Sequence, residues 1–394
     1  MRIGIFGGSF NPPHIGHVRA AESAIEQLGL ELLIVVPTGM PPHKTLPPGS
    51  PSANQRLHMA QAAFKNTRNV SVSDFEAKNA EPAYTIDTVR SIKGDYPGAE
   101  LYLLVGADMY LTLDQWKNSG ELLEAITPVT FSRCEADREK IDEYTARLSG
   151  RCGANIKTLE NEFIDISSSR LREMLPLRQG AKFLADENYS YIISNRLYNA
   201  KPDWDWLRER AYSMLDPARI PHVAACEDAA VSLAGFWGAD ADDAREAAIL
   251  HDITKRLNTD EHFDILNRHA VEIGELGFGE EKLLHSITGA VIAGSEFGSS
   301  KAVTEAIKWH TTGRAHMTTL EKVLYLADYI EATRELDGIA DLRRKAYEDI
   351  DEAVMIGLEM SIEDLLSRGI TPNSTSSEAL DDLLKVLRAR NQGR

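Results

Sequence analysis

The spacing of apolar residues changes character near residue 200, and that change restricts the chain to two folding units of different class. Before it, short apolar runs at residues 3–6, 32–36 and 101–105 alternate with helical spacing, as in Val18, Ala21, Ile25 and Leu28. Such runs suit strands buried on both faces, and strands alternating with helices build a parallel sheet. Residues 129–131 and 156–159 are weaker strand candidates, and the stretch from Pro37 to Pro51, with six prolines, reads as loop. The expectation is an α/β doubly wound parallel sheet whose ligands gather at the carboxyl ends of the strands.

After residue 203 helical spacing takes over, in segments such as 241–253, 261–276, 301–309 and 319–336, so an all-α domain is expected there. Asn199-Ala200-Lys201-Pro202-Asp203 reads as a linker, with Pro202 closing a helix that runs to Leu197 and Tyr198. The expected domains are therefore 1–199 and 203–394. In the tail, 376–388, Leu380, Leu383, Leu384 and Leu387 share one face, which suits docking or solvation equally.

A length of 394 residues supports two or three cores. The net charge of -17 argues against a general nucleic-acid or anionic-membrane binder, since both need a basic surface. Cys134, Cys152 and Cys226 form no CxxC pair and give neither a disulfide framework nor a zinc knuckle. No leader-like stretch or membrane-length apolar run is visible, so the default expectation is cytoplasmic. The sequence leaves homo-oligomer formation open.

Directly after the first apolar run stands Gly7-Gly8-Ser9-Phe10-Asn11-Pro12-Pro13-His14-Ile15-Gly16-His17. Glycines where a strand hands over to a helix let backbone approach phosphate oxygens, and the helix offers unpaired N–H groups. Neither the G-x-G-x-x-G fingerprint nor the Walker A pattern is present. His14 and His17 can instead both face one polyphosphate, with Gly16 leaving space between them. The segment resembles the nucleotidyltransferases with an H-x-G-H motif and a later I-S-S-x-x-[IL]-R motif, here Ile166-Ser167-Ser168-Ser169-Arg170-Leu171-Arg172. Within them, Pro37-Thr38-Gly39-Met40-Pro41-Pro42-His43-Lys44, Tyr84-Thr85-Ile86-Asp87-Thr88 and Gly106-Ala107-Asp108 followed by Trp116 resemble bacterial nicotinate-nucleotide adenylyltransferases.

The resemblance implies AMP transfer from ATP, accompanied by Mg²⁺, onto nicotinate mononucleotide. The nucleophile is already an anionic phosphate, so the work is alignment and charge neutralisation. It implies that His14, His17, Lys44 and Arg172 carry that work. Gly7, Gly8, Ser9, Phe10, Ile166, Ser167 and Ser168 would cradle the nucleotide. Gly106 and Asp108 would face the ribose, and Tyr84, Thr85 and Trp116 the nicotinate ring.

Seven of the eleven histidines follow residue 203, and imidazole is the usual nitrogen donor for transition metals. His251-Asp252 ends an apolar helical face, and Asp328 interrupts another within Leu324-Tyr325-Leu326-Ala327-Asp328. A carboxylate there is costly to bury unless paired or metal-bound. With Arg219-Ile220-Pro221-His222, Leu284-His285 and Trp309-His310-Thr311-Thr312-Gly313, these residues resemble the HD-superfamily symmetrical diadenosine-tetraphosphate hydrolases over about residues 205–345. The resemblance implies His222, His251, Asp252, His285, His310 and Asp328 as ligands of two iron or manganese ions. Asp252 and Lys255 would act in hydrolysis, and Arg334 would bind the remaining phosphates. Ser286 stands where those hydrolases carry glycine.

Three other readings stay open at this level. The helical domain could be a nucleotide sensor that does not hydrolyse, or that has another specificity. The first domain could use phosphopantetheine or nicotinamide mononucleotide as acceptor. A non-catalytic scaffold fits two complete polar constellations poorly.

Overall fold

The computed structural model describes residues 1–41, 45–79, 82–131, 135–152, 156–159, 164–271, 283–335 and 337–392. The chain divides into two compact units, Met1–Asp203 and Trp204–Arg394.

The first unit contains β1 (Arg2–Gly8), β2 (Leu32–Pro37), β3 (Val70–Val72), β4 (Glu100–Gly106), β5 (Thr127–Phe131) and β6 (Lys157–Leu159). They form one parallel sheet in the order β3-β2-β1-β4-β5-β6. Its helices are α1 (Ile15–Leu28), α2 (Ala53–Phe64), α3 (Thr85–Asp95), α4 (Ala107–Tyr110), α5 (Ser119–Ala125), α6 (Glu135–Cys152), α7 (Ser168–Met174) and α8 (Asp186–Ser194). The strand period of two explains the two cores. Ile3, Ile5, Ile34, Val36, Leu101 and Leu103 pack on one face, while Phe6, Leu33, Val35, Leu104 and Val129 pack on the other.

The apolar runs are strands buried from both sides, as their composition requires. β3 escapes sequence reading because Val70-Ser71-Val72 is short and only partly buried at the sheet edge. Strand order reverses between β1 and β4, so a crevice opens beyond their carboxyl ends at Gly8 and Gly106.

The end of this unit departs from expectation. α8 stops at Ser194, and Leu197–Asn199 form a separate turn with Arg196 and Tyr198 in the left-handed region. The helix therefore ends before Pro202 can act on it. Residues 201–203 are also tied down. Lys201 N–H donates to Leu175 O at 3.1 Å, Arg178 to Pro202 O at 3.0 Å, and Asp203 N–H to Tyr189 Oη at 2.7 Å.

The second unit is helical: α9 (Trp204–Met214), α10 (Ile220–Trp237), α11 (Ala241–Leu250), α12 (Thr259–Arg268), α13 (Leu284–Ser295), α14 (Lys301–Trp309), α15 (Thr319–Ile330), α16 (Ile339–Lys345), α17 (Ile350–Ser367) and α18 (Ser374–Gln392). Their starts are written in the sequence. Thr318 and Glu321 form a reciprocal capping box on α15, Asn258 and Glu261 another on α12, and Ser300 caps α14. Gly238 in the left-handed region ends α10.

The core runs through α10, α11, α14 and α15. The tail helix α18 docks on this same unit. Ala379 and Leu383 join its core, and burying Leu383 contributes roughly 2 kcal/mol. Among the described residues no helix is long and apolar enough to cross a membrane.

Candidate active sites

Beyond the carboxyl ends of β1 and β4 lies a cavity of about 440 Å³. It is lined by Gly7, Gly8, Ser9, Phe10, His14 and His17 from the first motif and by Ile166, Ser167, Ser168 and Arg172 from the late one. Tyr84, Thr85, Gly106, Asp108 and Trp116 line it as well. Segments far apart in sequence are brought together because the sheet reverses there. Lys44 and His43 lie outside the described residues.

His14 is the N-cap of α1 in an extended backbone, and its N–H donates to His17 Nδ1 at 3.1 Å. A neutral His17 therefore carries its proton on Nε2, which leaves that atom as donor. The two rings lie 3.8 Å apart between centroids, and the Phe10 and His17 rings meet edge-on with centroids 5.2 Å apart. A Cβ on Gly16 would stand 3.0 Å from the His14 ring, so that glycine makes room for the imidazole itself.

The loop before α1 is held by its main chain. Arg172 donates to Asn11 O at 2.6 Å, Ser168 Oγ to Pro12 O at 2.8 Å and Asn188 to Pro13 O at 3.3 Å. Arg172 also donates to Ser169 Oγ at 3.0 Å. Three successive carbonyls thus accept from α7 and α8, and the two motifs form one structure.

Three charged residues in or next to the loops around the cavity were missed in the sequence. Arg56, 1 % exposed on α2, donates to Ser9 O and Gly39 O at 2.8 Å each, clamping the loops after β1 and β2. Burial lowers its pKa. Glu76 lines the cavity and accepts from Thr88 Oγ1 at 2.7 Å, and burial pushes its carboxyl up to about 7. The Lys117 ammonium sits 3.8 Å over the Tyr84 ring. Only Lys117, beside Trp116, carried a signal; the other two look like ordinary surface charges until the fold buries them.

In the second unit all six expected ligands converge. His222 comes from α10, His251 and Asp252 from the turn after α11, His285 from α13, His310 from the end of α14 and Asp328 from α15. His222, His251 and Asp328 form one donor group, and His251, Asp252 and His310 a second. His285 Nε2 adjoins the second, at 3.4 Å from Asp252 Oδ1 and 3.3 Å from His310 Nε2.

The buried His251 Nε2 and Asp252 Oδ1 make no hydrogen bond, although each faces the shared space. Two buried polar atoms that make no hydrogen bond, amid nitrogen and oxygen donors, are what a cation site requires. The residues present therefore fit a divalent metal centre.

Charges are set by the surroundings. Burial opposes ionisation of Asp252, but His251, Lys255 and His310 outweigh it and hold the carboxyl well below its usual range. Burial opposes ionisation of Asp328 too, yet His222 and His251 hold it low. Burial, then His251, pushes His310 down to about 4, which keeps the ring neutral and able to donate a lone pair. Burial also lowers Lys255, whose Nζ lies 2.9 Å from His285 Nε2.

Arg334 donates to Asp328 Oδ1 at 3.1 Å, so this cation joins the polar cluster itself. Two supporting residues were assigned no role from the sequence, although both stand in segments that carry the resemblance. Glu331, 1 % exposed, meets His222 Nδ1 at 3.1 Å and so fixes which ring nitrogen faces Asp328. Arg219 donates to Asp252 Oδ2 at 2.6 Å. Ser286 Oγ donates to Leu283 O within its own helical turn.

Residues 5–174 match the cytidylyltransferase-like family and residues 219–333 the HD domain. The chain is thus a nucleotidyltransferase-type α/β domain followed by an HD domain. A Carboxydothermus hydrogenoformans protein described as "Probable nicotinate-nucleotide adenylyltransferase" is 39% identical over 201 residues, 50% of this chain and 98% of its own. Two relatives described as "Probable nicotinate-nucleotide adenylyltransferase/Ap4A hydrolase" span both domains. The Mycoplasma pneumoniae protein is 30% identical over 84% of this chain and 88% of its own. The Mycoplasma genitalium protein is 29% identical over 91% and 97%. The chain belongs to this two-domain adenylyltransferase/Ap4A hydrolase family.

Proposed function

We propose that the chain is a bifunctional enzyme. The first unit transfers AMP from ATP to nicotinate mononucleotide, giving deamido-NAD and pyrophosphate. The second hydrolyses diadenosine tetraphosphate symmetrically to two ADP. What supports the reading is convergence: residues from both ends of the first unit line one cavity at the strand reversal, and six donors meet in the second.

In the transferase site His14 and His17 donate to ATP phosphates, and Lys44 and Arg172 add positive charge. Asp108 accepts from the ribose, and Trp116 with Tyr84 and Thr85 holds the nicotinate ring. Ser168 and Arg172 act largely through the loop carbonyls they hold. Mg²⁺ enters with the ATP phosphates and water.

In the hydrolase site His222, His251, Asp252, His285, His310 and Asp328 hold the metals. The mixed imidazole and carboxylate set suits iron or manganese better than magnesium or calcium. Bound there, the ions supply an activated water and neutralise phosphate charge. Lys255 and Arg334 stand beside the ligands to receive the remaining phosphates. Substrates are nucleotides; neither nucleic acid nor a membrane is a partner, and the protein works in the cytoplasm.

Reciprocal inactivation tests both halves. His17→Ala should lower deamido-NAD formation by roughly 10²- to 10³-fold and leave hydrolysis unchanged. Asp252→Ala should abolish metal retention and hydrolysis while sparing adenylyl transfer. A wild-type chain that forms no deamido-NAD would sink the first half. One that binds metal but cleaves no dinucleoside polyphosphate would reassign the second as a sensor.

A further inference from the structure

Three of the four residues 196–199 take the left-handed backbone: Arg196 at φ 52°, Tyr198 at φ 60° and Asn199 at φ 53°. That region is sterically disfavoured for residues with a Cβ, so such a run persists only where the surroundings fix it. Here the turn carries the Tyr198 ring into the interior, at 9 % exposure, and delivers its hydroxyl to Asn11 Oδ1 at 2.8 Å.

Asn11 is 1 % exposed and lines the cavity. Its carboxamide also donates to Ser50 Oγ at 2.8 Å, and its main-chain carbonyl accepts from Arg172. His14 follows three residues later. Burial holds the Tyr198 phenol well above its usual range, so it stays a donor throughout the working pH range.

We propose that Tyr198 is a positioning residue for adenylyl transfer, its hydroxyl setting, through Asn11, the path of the loop that presents His14 and His17. The strained turn is the means of bringing that hydroxyl to the loop. The inference rests on the adenylyl-transfer reading of the cavity and assigns a role to the segment that closes the first unit. The imidazoles act on charge that develops in the transition state, so a misplaced loop costs turnover more than ground-state binding.

The test is steady-state transfer by the full chain with ATP and nicotinate mononucleotide, using Tyr198→Phe, Asn11→Ala and the double variant. Tyr198→Phe keeps the ring and deletes only the hydroxyl. Each single variant should lose roughly ten- to a hundredfold in kcat, with KM for ATP within about twofold. The double variant should be no slower than the slower single one. An unchanged kcat for Tyr198→Phe, a loss confined to KM, or losses that multiply would overturn the proposal. Hydrogen exchange in α1 checks folding, and either single variant stands alone if the other does not fold. A wild-type chain without dinucleotide product would instead overturn the function itself.

Discussion

Glu76→Gln should stabilise the first unit at alkaline pH and leave it little changed in acid. Glu76 is buried, with the Thr88 hydroxyl on one oxygen, and its carboxyl titrates near 7 instead of the ordinary 4.5 because burial penalises the anion. Below pH 4.5 the folded and unfolded chains both carry the proton, and nothing is lost. Between 4.5 and about 7 the unfolded chain has released it while the folded chain retains it, so stability falls as pH rises. Above 7 the anion is buried and the penalty is complete. At about 1.4 kcal/mol per pKa unit the full penalty is about 3 kcal/mol, and at pH 5 it is still under about 1 kcal/mol.

Glutamine has the shape of the protonated acid and no charge to bury, so the variant should escape this slope. Hydrogen exchange of the β1 and β4 amides, corrected for intrinsic rates, reads the first unit separately. Parallel pH profiles for wild type and variant would refute the argument. Because Glu76 lines the cavity, the variant should also flatten any alkaline decline in kcat/KM for the anionic substrates.

Two further outcomes follow from contacts that the sequence did not reveal. Glu331→Gln removes the charge behind His222 and should weaken metal retention by roughly 10-fold or more, measured by competition with a chelator. Unchanged retention would show that the pair only packs. Gly39→Ala would place a Cβ 2.1 Å from the Glu76 carbonyl oxygen, so the loop after β2 must shift. A loss of roughly 1–3 kcal/mol is expected in the same hydrogen-exchange assay, and an alanine variant as stable as wild type would sink that reading.

Legibility in the sequence followed the range of the physics involved. Helix starts such as Thr318 with Glu321 and strands such as residues 101–105 depend on neighbours a few positions away, and the local pattern displays them. The same holds for His14 and His17, which share one helical turn. The polar cluster was legible in part: His251-Asp252 ends an apolar helical face and Asp328 interrupts another, while His222, His285 and His310 stood out only through the resemblance. β3 was not, since an edge strand of three residues carries too little pattern.

By itself, then, the sequence determined the two classes of unit, the strand and helix cores, and the chemistry gathered in each half. Only the tertiary structure decided that Arg56 and Glu76 are interior charges, that Ser168 and Arg172 bond loop carbonyls, and that Glu331 and Arg219 reach His222 and Asp252. It also decided that α18 docks on its own unit and that Tyr198 meets Asn11 across 187 residues. The reason is that burial and long-range hydrogen bonding depend on which elements the topology stacks together. A side chain's local sequence is silent about what lies on the far side of the fold.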